Sequence, residues 1–164
     1  MLIYSVDRRE VAIARRAIIL DTNVTYAAFW PEDSRHEASQ FIIEIGDQLI
    51  LTEAVIIETW GMLVGRGRRW DRGLAFLGWV NNPGSGVLVV QRGEQFSSIR
   101  ELSNALRVDC VDAILLFLAD HVSQSCALDP PIRVATFDTS DFFRCRVARG
   151  FKMTLLDMNT LEEY

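Results

Sequence analysis

Four acidic residues stand where side chains of their type are costly. Asp21 directly follows the apolar run at 17–20 in "AIILDTNV", and Asp138 directly follows "RVATF". Glu58 lies inside "AVIIETWGML" and Asp112 inside "VDCVDAILLFLAD". A carboxylate at the end of a short apolar run sits at the carboxyl edge of a buried strand, where open parallel sheets take their ligands. A carboxylate among apolar helix neighbours is expensive to bury unless it is paired or holds a metal ion. Gathered in one pocket, four such groups repel one another until cations arrive. Mg²⁺ or Mn²⁺ suits an all-oxygen donor set. Two such ions roughly 4 Å apart activate a water and stabilise the leaving oxygen of a phosphodiester.

Each acid also has a plainer explanation. Asp21 has the chemistry of a helix N-cap. Asp138 with Asp141 three residues later resembles a capping box. Glu58 and Asp112 could lie solvated at the rims of their helices. Asp109 stands one turn from Asp112 and shares its stripe; Asp112 is the better candidate, because Ala113 and an apolar run follow it. Only the combination, in this order along the chain, favours a common site.

The elements that must position these acids are legible as alternating strands and helices. Strands are expected at 17–20, 48–52, 87–90, 132–137 and 153–157. Helices are expected at 22–30 (ended by Pro31), from Ser34 to near Gly46 with Ala38, Phe41, Ile42 and Ile45 on one face, from Thr52 as N-cap past Leu63, and at 69–80, 96–106 and 110–122. Helices between short apolar strands make an α/β fold, a three-layer α/β/α sandwich on a mainly parallel central sheet. Residues 1–16 read as an N-terminal extension, a helix or an arm, and 17–164 as one domain.

Composition narrows the class further. At 164 residues and 49% hydrophobic, the chain can bury one substantial core. It has no apolar run near the roughly 18 residues of a membrane span, and charges at 7–10 interrupt any leader-like N-terminus. The three cysteines show no metal-binding spacing and suit a reducing cytoplasm. His36 and His121 stand alone, and no spacing suggests a nucleophile–histidine pair. The net charge of −5 argues against a general polyanion binder. Of 17 basic residues, however, only Lys152 is a lysine, and arginine presents a fork matched to phosphate. "GRGRRWDRG" collects Arg66, Arg68, Arg69 and Arg72 around Trp70. It is either an RNA-binding patch with a stacking ring or a solvated loop with Trp70 in the core. Trp60, Phe76 and Trp79 have core spacing.

The succession "IILDTNV", "TEAVIIETWGML", "VDCVDAILLFLAD" and "VATFDTSDF" resembles the PIN-domain family over residues 17–158, and within it the VapC-like toxins of VapBC-type toxin–antitoxin pairs. The resemblance implies a Mg²⁺- or Mn²⁺-dependent ribonuclease with Asp21, Glu58, Asp112 and Asp138 as catalytic, metal-binding acids. It adds Asp141 as a further ligand, with Asn23 and Thr136 orienting the carboxylates. It also implies an RNA substrate, an antitoxin partner and a homodimer. The alternatives are a PIN-domain RNA-processing nuclease without an antitoxin and a non-catalytic PIN-like interaction module. A dehalogenase-type phosphatase, suggested by "DTNVT", would need an Asp where Asn23 stands and a Lys before the late acids, whereas Lys152 follows them.

Overall fold

A computed structural model describes residues 2–6, 9–90 and 96–164; Met1, Asp7 and Arg8 of the N-terminal extension lie outside the described residues. The extension forms an antiparallel ribbon of β1 (Leu2–Val6) and β2 (Arg9–Ile13), a sheet of its own rather than a helix. A lone hairpin is marginal in water, and this one is tethered at its end. Ile13 is buried in the main core, and the Gln48 carboxamide accepts from Ala14 N (2.8 Å) while donating to Ala12 O (3.1 Å).

The main sheet contains β3 (Ile18–Leu20), β4 (Leu49–Thr52), β5 (Val87–Val90), β6 (Arg133–Thr136), β7 (Thr154–Asp157) and β8 (Glu162–Glu163). Its order is β5-β4-β3-β6-β7-β8, parallel throughout except for β8. The interleaved helices are α1 (Thr22–Ala28), α2 (His36–Ile45), α3 (Glu53–Trp60), α4 (Trp70–Val80), α5 (Phe96–Leu106), α6 (Cys110–Ser125) and α7 (Thr139–Arg149). This is the α/β sandwich read from the sequence. β3 is central and buries all three of its side chains, as a strand covered on both faces must.

From β3 the chain steps outward to β4 and β5, then returns across the sheet to β6 on the other side of β3. Right-handed crossovers therefore put α1–α4 on one face and α5–α7 on the other. The strand order reverses between β3 and β6. The crevice beyond their carboxyl ends is the switch point where such sheets bind ligands.

The departures from the sequence reading have local causes. α2 starts at His36, not Ser34, after an Arg35 that makes no side-chain cap bond. Its buried positions are Ser39 and Ile42, so the expected apolar face is rotated and Phe41 and Ile45 lie about half exposed. α3 is capped by Thr52, whose hydroxyl accepts from Val55 N (3.2 Å), but continues past Trp60 as a π-helical turn, Gly61–Arg66. α7 is mostly polar and buries only Phe142 and Cys145, so its sequence carries no apolar period. β8 is two glutamates, too short to carry a period.

Between the helices of the first face, Phe76 is fully buried, with the Phe29 ring edge-on at 5.3 Å and Trp79 tilted at 6.2 Å. Trp60 and Trp79 are half-buried against the same region. Replacing Phe76 by Ala removes the centre of this cluster and should cost about 3–5 kcal/mol. Urea unfolding followed by fluorescence checks it; a loss under about 1 kcal/mol would mean the cluster is not part of the cooperative core.

Candidate active site

The site begins with the pairing of β3 and β6. Their register sets Leu20 opposite Ala135, and Asp21 N donates to Ala135 O (3.1 Å). Asp21 and Thr136 therefore leave the sheet side by side. Asp21 is only 5% exposed, yet its carboxylate is well supplied with donors. Oδ1 accepts from Thr22 N at 2.6 Å, while Oδ2 accepts from the Asn23 amide at 2.7 Å and the Thr136 hydroxyl at 2.6 Å. Asp21 occupies the N-cap of α1, but its other oxygen is spent on a tertiary contact that no cap requires.

Asn23 and Thr136 are tied into the same network. Asn23 donates to Thr136 Oγ1 (3.2 Å) and accepts from Phe137 N (3.2 Å). Thr136 Oγ1 accepts in turn from Asp138 N at 2.9 Å. Asp138 stands at the N-cap position of α7 but makes no side-chain cap bond; it accepts from Ser140 Oγ at 3.2 Å. The capping-box explanation does not account for it. Asp141, one turn on, accepts from Arg144 at 3.1 Å.

Glu58 arrives from α3 on the first face. It is exposed, not enclosed by the apolar residues around it in sequence, so burial cost is not what marks it. Its Oε2 accepts from the Thr22 hydroxyl at 2.7 Å. Behind it, the buried hydroxyls of Thr25 and Thr59 share a hydrogen bond of 2.6 Å that fastens α1 to α3. Thr22 and Thr59 drew no attention in the sequence. The hydroxyl of Thr22, between Asp21 and Asn23, was the available clue.

Asp112 comes from the second face, in the first turn of α6, half-buried. Asp109 is the N-cap of that helix, accepting from Asp112 N at 2.9 Å. Burial, followed by the charges of Asp109, Asp21, Asp138 and Asp141, raises the Asp112 carboxyl from 3.8 to about 7. Burial raises Asp21 from 3.8 to about 6, against the lowering effect of its bonds to Thr136 and Thr22, with Glu58 and Asp109 adding to the rise. Asp109 thus belongs to the same electrostatic cluster as Asp112, beyond its structural role. Asp157, at the end of β7, is instead absorbed by a turn, accepting from Asn159 N at 2.8 Å.

The donors are hard oxygens whose mutual repulsion a divalent cation would relieve, so their chemistry fits Mg²⁺ or Mn²⁺. Among the described residues, no three His, Cys, Asp or Glu side chains already stand in a metal-holding geometry.

The arginine loop lies elsewhere. α1 carries the chain away from Asp21, and Glu32, beyond its far end, pairs with both Arg69 (4.0 Å) and Arg72. Arg69 also pairs with Asp71 at 3.0 Å, and Arg72 covers the Trp30 ring at 4.6 Å. Arg66 and Arg68 have no such partner among the described residues. Trp70 is 60% exposed and meets Trp60 edge-on at 5.2 Å, so it is not a core residue. His36 bonds to Ala27 O through Nδ1 at 2.8 Å, a structural role. No helix among the described residues is long and apolar enough to cross a membrane.

Residues 18–146 match the family model of the PIN domain. No curated protein matches the sequence. Among solved structures, the fold is similar to that of VapC20 from Mycobacterium tuberculosis, described as a sarcin-ricin loop cleaving toxin, with a TM-score of 0.58 and 18% identity over 82% of this chain and 95% of that one. At that identity the likeness is one of fold.

The raised carboxyls set a pH dependence. Both groups bind protons more tightly folded than unfolded, so without metal their contribution favours folding at low pH. That contribution is lost as pH rises from about 4 through about 6 for Asp21 and about 7 for Asp112. Melting curves in a chelator should show this fall across that window, and Asp112→Asn should flatten it. An Asp112→Asn protein whose melting temperature falls as steeply as the parent's would refute the assignment.

Proposed function

The chain belongs to the PIN-domain family, and on that premise we propose that it is a Mg²⁺- or Mn²⁺-dependent endoribonuclease. The observation that carries this reading is the convergence of Asp21, Asp112, Asp138 and Asp141 on the crevice between β3 and β6, where the charges of the other three all raise Asp112. Glu58 joins them through Thr22. Asp21, Glu58, Asp112 and Asp138 would hold the metal, with Asp141 as a supplement.

When bound, the divalent ion supplies charge neutralisation and an acidified water for attack at phosphorus. The protein's own contribution is orientation. Three donors lock the Asp21 carboxylate, Thr22 steers Glu58, and Thr136 fixes both Asp21 and the backbone of Asp138. Asp112, with its carboxyl near neutrality, can hold a proton at the edge of the site until substrate and cation arrive.

The likeness to a sarcin-ricin loop cleaving toxin supports RNA as the substrate and extends the proposal to a toxin of a type II pair. In that role it would act in the cytoplasm as a homodimer. An antitoxin segment would lie over the acidic pocket, with an Arg side chain paired to its carboxylates in place of metal. Of the loop arginines, Arg66 and Arg68 remain available to RNA phosphates, whereas Arg69 and Arg72 brace Glu32.

Asp21→Asn, Glu58→Gln, Asp112→Asn and Asp138→Asn should each reduce Mn²⁺-supported RNA cleavage more than Thr136→Val, which should cost about 10–100-fold as the loss of an orienting partner. Asp141→Asn should fall between Asp138→Asn and the parent. The assay is cleavage of total RNA across a Mn²⁺ titration, with melting curves alongside. Cleavage that survives chelation, or an Asp21→Asn protein as active as the parent, sinks the proposal.

Co-purification with the product of an adjacent reading frame, followed by light scattering and the same assay, checks the toxin role. The expected result is a stable complex of even toxin stoichiometry without activity; a fully active complex overturns occlusion.

A further inference from the structure

The α5–α6 corner holds two arginines that no acid among the described residues pairs with. A cavity of about 720 Å³ opens there over Ile99 and Val108, and Arg100, Asn104, Arg107 and Cys110 line it. A second hollow of about 440 Å³ shares Arg100 and Asn104 and continues along α5 past Glu101. Arg100 and Asn104 stand one turn apart on α5, and Arg107 follows just past its end. Both arginine side chains are exposed, and neither has a hydrogen-bond or ion-pair partner among the described residues.

This groove reaches the two chain neighbours of Asp109. Val108 and Cys110 flank Asp109, whose charge raises both Asp112 and Asp21. The corner is also clamped to the site from the other side. Arg144 donates to Leu106 O at 2.9 Å and to Asp141 Oδ1 at 3.1 Å, so the carbonyl just before Arg107 and a candidate ligand share one guanidinium. The turn itself is specified, with Arg107 N donating to Ser103 O at 2.9 Å and the Ser103 hydroxyl to Val108 O at 2.6 Å. Arg107 holds a left-handed backbone, φ 58°, which turns the chain sharply from α5 toward α6.

The geometry points to this groove as the track of the RNA strand entering the catalytic crevice, with Arg100 and Arg107 on successive stretches of its phosphate backbone. The inference rests on the ribonuclease reading above. A chain of net charge −5 with an acidic pocket repels a polyanion at long range, so it needs local cations beside the pocket. The loop at 66–72 serves this poorly, because Glu32 and Asp71 already engage two of its arginines and α1 separates it from Asp21. Arg100 and Arg107 carry no such load among the described residues, and Arg107 stands two residues from Asp109. An acidic peptide would fit the same two charges, but it offers no phosphodiester to the carboxylates of the proposed site.

Cys110 makes the groove observable without catalysis. It is the one exposed cysteine of the three, with Cys126 and Cys145 buried. Its alkylation by a maleimide reports access to the groove. A mixed-sequence single-stranded RNA, in EDTA or in Ca²⁺, should slow that alkylation at least severalfold. Poly-glutamate at equal charge should not. In parallel, Arg100→Gln/Arg107→Gln should lower RNA affinity about tenfold or more and reduce the salt slope by about 1.4, two single-strand phosphate contacts. Arg66→Gln/Arg68→Gln should change both less. Arg107→Lys keeps the charge, so it should retain most of the slope. If it fails as badly as Arg107→Gln, the turn and not a phosphate contact is at stake, and the proposal falls. Unslowed alkylation in both buffers, equal protection by poly-glutamate, or a double variant with the parent slope would each overturn it. Protection by RNA without cleavage under Mn²⁺ would leave the groove standing and remove the nuclease reading instead.

Discussion

Asp21 exchanges water for three fixed donors, and the arrangement of the site follows from that exchange. Removing a carboxylate from water costs several kcal/mol. Hydrogen bonds to a charged group return about 1.5–3 kcal/mol each. The donors come from the first turn of α1 and the last residue of β6, so they exist only when β3 and β6 pair in the observed register. Even then the compensation is incomplete: the rise of its carboxyl from 3.8 to about 6 leaves about 3 kcal/mol against the charged form. An isolated structural cap would not be built this way. A divalent cation at this edge, as proposed above, would offset that deficit.

The helices on the two faces bring their acids to this fixed point by different means. α3 is fastened to α1 through Thr25 and Thr59, which lets Thr22 hold Glu58 at the solvent boundary. α6 starts at the pocket, so Asp112 enters with its first turn, held by the Asp109 cap. α7 begins beside it, with Asp138 positioned through its backbone by Thr136. The carboxylates thus have rigid main-chain supports and mutually repelling tips. In the proposed metal site that combination would hold the ligands ready without letting them collapse onto one another. Positive charge follows a different logic, because an arginine near carboxylates tends to be captured by them. Glu32 captures Arg72, Asp71 captures Arg69 and Asp141 captures Arg144. Arg100 and Arg107 have no such partner among the described residues.

The sequence by itself determined the layers and the strand-end acids. Short apolar runs ended by Asp21 and Asp138 and separated by amphipathic stretches specify a parallel α/β sheet, because only buried strands tolerate such continuous apolarity. Asp21 and Asp138 were legible as a pair for the same reason, since the carboxyl ends of parallel strands share one edge. Polar α7 and two-residue β8 carried too little periodicity to read. The N-terminal ribbon depends on Gln48 and on the burial of Ile13, contacts that local sequence does not encode.

Only the tertiary structure decided which charges act together. Strand order, a long-range property, put β6 beside β3 and made the switch point fall between the two acids. Helix rotation decided that Glu58 is exposed, that Phe41 and Ile45 leave the core, and that Trp70 faces solvent. Asp109 looked like a competitor of Asp112 and proved to be its cap and its electrostatic neighbour, since spacing along a helix fixes a stripe but not what faces it. The arginines at 66–72 looked like a basic patch because sequence counts charges one by one. Folding set Glu32 against Arg69 and Arg72 and left Arg66 and Arg68 without such a partner among the described residues, because a charge's availability is decided by the partners that through-space packing supplies.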